Sequence, residues 1–130
     1  MDSYYPILGG INSKKRINSL TTKIKDSFWI QGLGIKCVSD EPWVTVAETS
    51  ECSIAYKKIG EDKIALELLH NAIAIVDGNG IPYMGWQFSE NIYWPDETPA
   101  WTSAACILAA DANNQLTSGA NLFLKQQFKP

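Results

Sequence analysis

Two helical patterns in the middle of the chain are joined by only four residues, Ile59, Gly60, Glu61 and Asp62. No other feature constrains the fold as much. Before the link, "WVTVAETSECSIAYKKIG" sets Val44, Ala47, Ile54 and Ala55 along one stripe. After it, "EDKIALELLHNAIAIV" carries Ile64, Leu68, Ala72 and Ile75 on one face, with Leu69 and Ile73 beside them. Both spacings match the period of an α-helix. A connection this short forces the two helices to fold back on each other as an antiparallel hairpin.

Helix limits follow from residues that suit free backbone groups. Asp40 is a good N-cap, and Pro42 fits a first turn, where no N–H is needed. The hairpin is thus expected over 41–58 and 61–76. An earlier helix over 12–27 is expected from Ile17, Leu20, Ile24 and Phe28, with Asn12 or Ser13 as cap and "QGLG" as its stop. A later one over 98–112 would start at Thr98 and Pro99, and its alanines allow close packing. "IKCV" is too isolated to claim a sheet. Residues 77–100 are rich in Gly, Pro and aromatics and read as one long binding loop. The expected fold is all-α: helical hairpins in a single domain, residues 1–130.

Charge and motifs narrow the functional classes. Eleven basic against fourteen acidic residues give a net charge of -3, which argues against a nucleic-acid surface. No apolar run approaches the roughly 20 residues of a membrane span. "MDSYYPILGG" lacks the pattern of a signal peptide, so the expected location is cytoplasmic. Cys37, Cys52 and Cys106 are odd in number and form no CxxC, which speaks against a disulfide framework or a zinc site. The single histidine, His70, lies inside an apolar helical pattern. Walker, GxGxxG, HExxH and GxSxG motifs are absent. No cofactor and no metal are expected.

The acidic, aromatic segments carry the functional reading. "DEPW" at 40–43 and "DETPAW" at 96–101 both lead into helices with an acid, a proline and a tryptophan. In alternating hairpins these two helices run parallel, so their N-termini share one side, and the 77–100 segment must reach that side. Such a face would collect Asp40, Glu41, Trp43, Glu48, Tyr83, Trp86, Tyr93, Trp94, Glu97 and Trp101. Aromatic rings stack on the apolar side of a sugar while carboxylates hydrogen-bond hydroxyls or act as acid and base. Aromatic faces equally stabilise cations. The helix macrodipole accounts for Asp40, Glu41, Asp96 and Glu97 without any ligand. It accounts less well for Glu48 and Glu51, which the expected limits place beyond the first turn. Glu48 is therefore the candidate proton-handling group, with Asp40 as a second catalytic candidate and Glu51 the weaker one. Trp43, Tyr83, Trp86, Trp94 and Glu97 are the candidate substrate-binding residues.

The blocks "YYPILGG", "GLGIKCVSDEPWVTVAET", "YWPDETPAWTSAACILAADA" and "NLF" together resemble the C-terminal part of bacterial prenyltransferase-like proteins. These belong to the α/α-toroid group of terpenoid cyclases and protein prenyltransferases. The resemblance runs from Tyr4 to Phe123 and implies a larger ring of stacked hairpins. Neither DDxxD nor DxDD, the acidic motifs of isoprenoid synthases and cyclases, is present. The implied role is to bind, and to process, an isoprenoid or glycan substrate in an acidic aromatic cleft. The alternative is a non-catalytic interaction or assembly module. Two hairpins of such a stack leave an apolar side uncovered, so a homodimer is expected.

Overall fold

A computed structural model describes residues 3–125. A short helix α1 (Tyr5–Leu8) precedes α2 (Lys14–Lys23), which runs on as a π-helical turn over Ile24–Phe28. Two small strands follow, β1 (Trp29–Ile30) and β2 (Gly34–Ile35), paired antiparallel. Strand β3 (Trp43–Thr45) leads directly into α3 (Val46–Lys58), and α4 (Asp62–Ile73) folds back on α3. Strands β4 (Gly85–Gln87) and β5 (Ile92–Tyr93) come next, then the long helix α5 (Ala100–Asn114). A 3-10 turn (Ser118–Ala120) and a short α6 (Asn121–Leu124) complete the described chain.

The four expected helices are present, and the tight α3–α4 hairpin with them, but the all-α fold is corrected: the protein is mixed α/β. Strands β3, β4 and β5 form a three-stranded antiparallel sheet in that order. The residues responsible lie in the expected helix start at 41–45 and in the expected loop over 77–100. "WVT", "GWQ" and "IY" are runs of β-branched and aromatic residues, which favour a pleated, half-buried surface. The β4–β5 turn is built by Asn91, which takes a left-handed conformation at φ 55°. The Gln87 side-chain oxygen also accepts from the Glu90 N–H at 2.8 Å in that turn. "IKCV" is likewise part of a sheet, because Gly34 and Ile35 pair with Ile30 and Trp29 and Lys36 bridges to Val44.

The β3 strand displaces the expected start of the second helix. Thr45, not Asp40, stands at its N-cap position, and Pro99, not Thr98, stands at that of α5. Glu48 is consequently in the first turn of α3, where the macrodipole favours an acidic side chain. The reason for preferring Glu48 over the other acids is removed.

Helix α3 is the centre of the molecule. Ten of its thirteen residues are buried, and its polar ones are mostly small. Ser53 Oγ donates to the Ala65 carbonyl of α4 at 2.7 Å and accepts from Asn113 Nδ2 of α5 at 2.9 Å. Ser50 Oγ meets Cys106 Sγ at 3.5 Å. Ser50 pairs with Cys106 and Ser53 with Asn113, so positions rise together and α3 and α5 run parallel. Met84 ties their starts together: its N–H donates to the Glu97 carbonyl at 2.9 Å, and its own carbonyl accepts from Val46 N–H at 3.0 Å.

Gly85 is fixed by close approach. A Cβ there would lie 2.6 Å from Trp43 Nε1 and 2.5 Å from the Val44 carbonyl oxygen. The Trp43 indole lies across β4 at this point and donates to the Trp94 carbonyl at 2.7 Å. Gly85→Ala is expected to destabilise the protein by about 1–3 kcal/mol, the usual cost of overpacking. A urea midpoint that falls with an unchanged slope would show it, and an unchanged midpoint would refute the packing argument.

Candidate functional site

A groove with a volume of about 600 Å³ lies between α1, α3, α5 and α6. One wall is the α3 stripe Ala47, Glu51, Ile54 and Lys58, spaced four, three and four residues apart. The facing wall is Trp101, Ala104, Ala105 and Leu108 of α5, at helical spacing again. Trp101 is exposed, at 52%. A single carboxylate, Glu51, thus sits within an otherwise apolar surface, with an indole across from it and a lysine at the far end.

Glu51 is held from the N-terminal side. The buried Tyr4 hydroxyl donates to Glu51 Oε2 at 2.7 Å. Burial, reinforced by this carboxylate, pushes the Tyr4 phenol far above its ordinary ionisation range and raises that of Tyr5 as well. Tyr4 therefore remains a hydrogen-bond donor at any physiological pH. Lys58 donates to the Leu8 carbonyl at 2.7 Å, and burial lowers its pKa. Each end of α1 is thereby pinned to α3.

Glu48 lies three residues before Glu51 but does not line the groove. It is 8% exposed, accepts a long hydrogen bond from Cys37 Sγ at 3.5 Å, and leaves Oε2 without a partner among the described residues. Its charge, with burial as the larger cause, raises the Cys37 thiol, and it adds to the shift at Tyr4.

The sequence-named aromatics do come together, but around the sheet rather than around Glu48. Strand register puts Trp43, Gln87 and Ile92 on one face and Val44, Trp86 and Tyr93 on the other. On the first face, Trp43 and the exposed Trp94 line a cleft of about 300 Å³ with Glu41 and Gln87. On the second, Tyr93 stacks on Tyr83 at 3.9 Å and meets Trp86 edge-on at 5.0 Å. Asp40 is exposed on the turn before β3 and lines neither cleft, and Glu97 is exposed and serves the fold through its backbone carbonyl. None of the larger cavities is lined by Glu48 and Trp86 together.

Tyr4, Tyr5 and Lys58 were not identified from sequence as site residues. The readable signal was the stripe itself: a carboxylate at the second of four positions in a helical row otherwise made of Ala, Ile and the stem of a lysine.

Comparison with known proteins bears on the chemistry. No family model matches the chain. It is similar to the MMP endo-(1,4)-3-O-methyl-α-D-mannosidase of Mycolicibacterium hassiacum, 37% identical over 123 residues, which cover 95% of this chain and 34% of that protein. The chain thus spans about a third of the length of the curated relative it matches. By its name that relative acts on a glycan, which supports the glycan side of the sequence reading and adds nothing to the prenyltransferase resemblance. Among the described residues no helix is long and apolar enough to cross a membrane, and no group of three or more His, Cys, Asp or Glu is placed to hold a metal ion.

The buried acids make stability pH-dependent at the alkaline end. Burial raises Tyr4, Tyr56 and Cys52 in the folded protein, so the native state holds these protons more tightly than the unfolded chain. Their contribution is complete below the unfolded values, about 8.5 for Cys and about 10 for Tyr, and is lost as pH rises through and beyond them. Urea midpoints are expected to fall progressively from about pH 8.5 to about pH 11. The decline above about pH 10 should be shallower in Tyr4→Phe, which has one fewer such proton to hold.

Proposed function

We propose that the chain takes part in binding and processing a glycan, and that the groove between α3 and α5 receives the sugar. The observation that carries this reading is Glu51, clamped by Tyr4 within an apolar wall and faced by the exposed Trp101. The relative's name suggests a substrate class, an α-1,4-linked mannoside bearing 3-O-methyl groups. Methyl ethers make a sugar less polar, and the Ala, Ile and Leu side chains of this groove suit such a surface better than they suit free hydroxyls. Trp101 would stack on the ring. Glycoside hydrolysis commonly uses two carboxylates, one to protonate the leaving oxygen and one as base or nucleophile. Glu51 is the carboxylate this groove presents. Tyr4, a donor throughout the physiological range, orients it. Glu48 then acts from behind through its charge on Tyr4, as a positioning residue. The cleft of Trp43 and Trp94 would hold a further part of an extended glycan by stacking, with Glu41 and Gln87 to hydrogen-bond its hydroxyls.

Glu51→Gln tests the assignment, since the amide oxygen can still accept from Tyr4. With a methylated mannose oligosaccharide as probe, turnover should fall by about 10²-fold or more, the usual contribution of a positioned acid or base. Thermal stability should change little. Binding is read separately as a change in tryptophan fluorescence, which Trp101→Ala should diminish, leaving the part that arises at Trp43 and Trp94. Turnover equal to wild type in Glu51→Gln would remove this residue from the chemistry.

The rival reading, an interaction or assembly module, is favoured by the exposure of the apolar side chains Ile107, Leu108 and Leu116, at 67%, 41% and 70%. It predicts a symmetric dimer. Sedimentation equilibrium is expected to show dissociation of that dimer in Ile107→Asp, and a wild-type monomer at micromolar concentration would end this reading.

A further inference from the structure

The chain enters α1 through two adjacent tyrosines, and the helical period sends them to different places. Tyr4 and Ile7, three residues apart, are buried in the core, while Tyr5 and Leu8, one position further on, line the groove between α3 and α5. Tyr5 is 43% exposed there. Pro6 suits the first turn of so short a helix, where no N–H is needed.

Both phenols converge on one carboxylate. Tyr4, whose hydroxyl donates to Glu51, lies against Tyr5, with ring centroids 4.9 Å apart at 57°. Burial raises the Tyr5 phenol, and the charge of Glu51 and a side-chain hydrogen bond to it raise it further, so Tyr5 is held as a donor beside Glu51. Tyr4 serves the carboxylate from within the core. Tyr5 serves it from the ligand's side, since Tyr5 and Glu51 line the groove and Tyr4 does not. The exposed indole of Trp101 lines the same groove.

We propose that Tyr5 is a substrate-contacting residue of this groove: its ring packs against the bound sugar, and its hydroxyl positions the Glu51 carboxylate for reaction. This inference rests on the glycan reading of the groove. A tyrosine offers both contacts that a sugar needs, an apolar face for its C–H surface and a polar tip for its oxygens. A carboxylate engaged by two phenols keeps one orientation, and a misplacement of about 1 Å can slow a reaction by about 10²-fold.

Measurements without and with substrate test it. The ionisation of Tyr5 is isolated as the tyrosinate absorbance present in wild type and missing in Tyr5→Phe. Glu51, Glu48 and Tyr4 act on this phenol, and Lys58 lines the same groove. In Glu51→Gln that ionisation should move to lower pH, because the negative charge beside the phenol is gone. With the methylated mannose oligosaccharide, Tyr5→Phe keeps the ring and should lower kcat by about tenfold at nearly unchanged KM. Tyr5→Ala removes the ring as well and should raise KM, and the Kd read by tryptophan fluorescence, by about fivefold. A Tyr5 ionisation indifferent to Glu51→Gln, a Tyr5→Phe kcat equal to wild type, or an unaltered Kd in Tyr5→Ala would overturn the inference. So would a markedly lower melting temperature in Tyr5→Phe, by showing that the hydroxyl serves the fold. Turnover lost in Glu51→Gln but intact in Tyr5→Phe removes the role of Tyr5 alone, whereas turnover intact in both removes the glycan reading of the groove with it.

Discussion

The Ser53 hydroxyl is the contact on which the helical core turns. It donates to α4 and accepts from α5 at once, so one small side chain fixes both neighbours of the central helix. A larger residue would force the helices apart, and an apolar one would leave the buried Asn113 Nδ2 with its bond to the Ala109 carbonyl at 2.8 Å alone, cutting the side-chain tie from α5 to α3. The other small hydroxyls of α3 serve a related purpose: Thr49 and Ser50 donate back to the carbonyls of Thr45 and Val46, at 2.6 and 2.8 Å. With their hydrogen bonds closed on the helix itself, these residues can be enclosed on every side. Thr49 also accepts from the Ile35 N–H at 2.9 Å, which brings β2 against the helix where Gly34 leaves room.

This explains what the sequence did and did not disclose. The periodicity of α4 was plain because its faces differ, Leu68 and Ala72 being buried and Leu66 and His70 exposed. Helix α3 has no polar face to read, and its Ser, Thr and Cys residues look like surface while lying inside. The four-residue link still revealed the hairpin. The sheet was hidden because its strands are two or three residues long. A run so short shows no alternation, and its partner is set by contacts distant in sequence, such as Trp43 with Gln87. Pro42 then misled, since a proline that suits a helix start equally suits the lead into a strand.

The candidate site was legible in its ingredients and not in its assignment. Moving the start of α3 from residue 41 to Val46 changes which acid the macrodipole explains: Glu48 comes inside the first turn, while Glu51 stays beyond it. The groove then selects Glu51 by helical phase, because it shares a face with Ala47, Ile54 and Lys58. Tyr4 could not be paired with it from sequence, as the two are 47 residues apart. Trp43, Tyr83, Trp86, Tyr93 and Trp94 gather at the sheet, where strand alternation divides them between two faces.

The double backbone link at Met84 has a mechanical consequence. Because that residue joins the start of α3 to the residues leading into α5, the two walls of the groove are riveted at the Trp101 end and cannot spread there without breaking the sheet. The opposite end is closed by smaller pieces, α1 and α6, each only four residues long. Width at the Trp101 end is therefore set by the backbone itself, while at the opposite end it rests on side chains, the Tyr4 and Lys58 hydrogen bonds that hold α1 to α3.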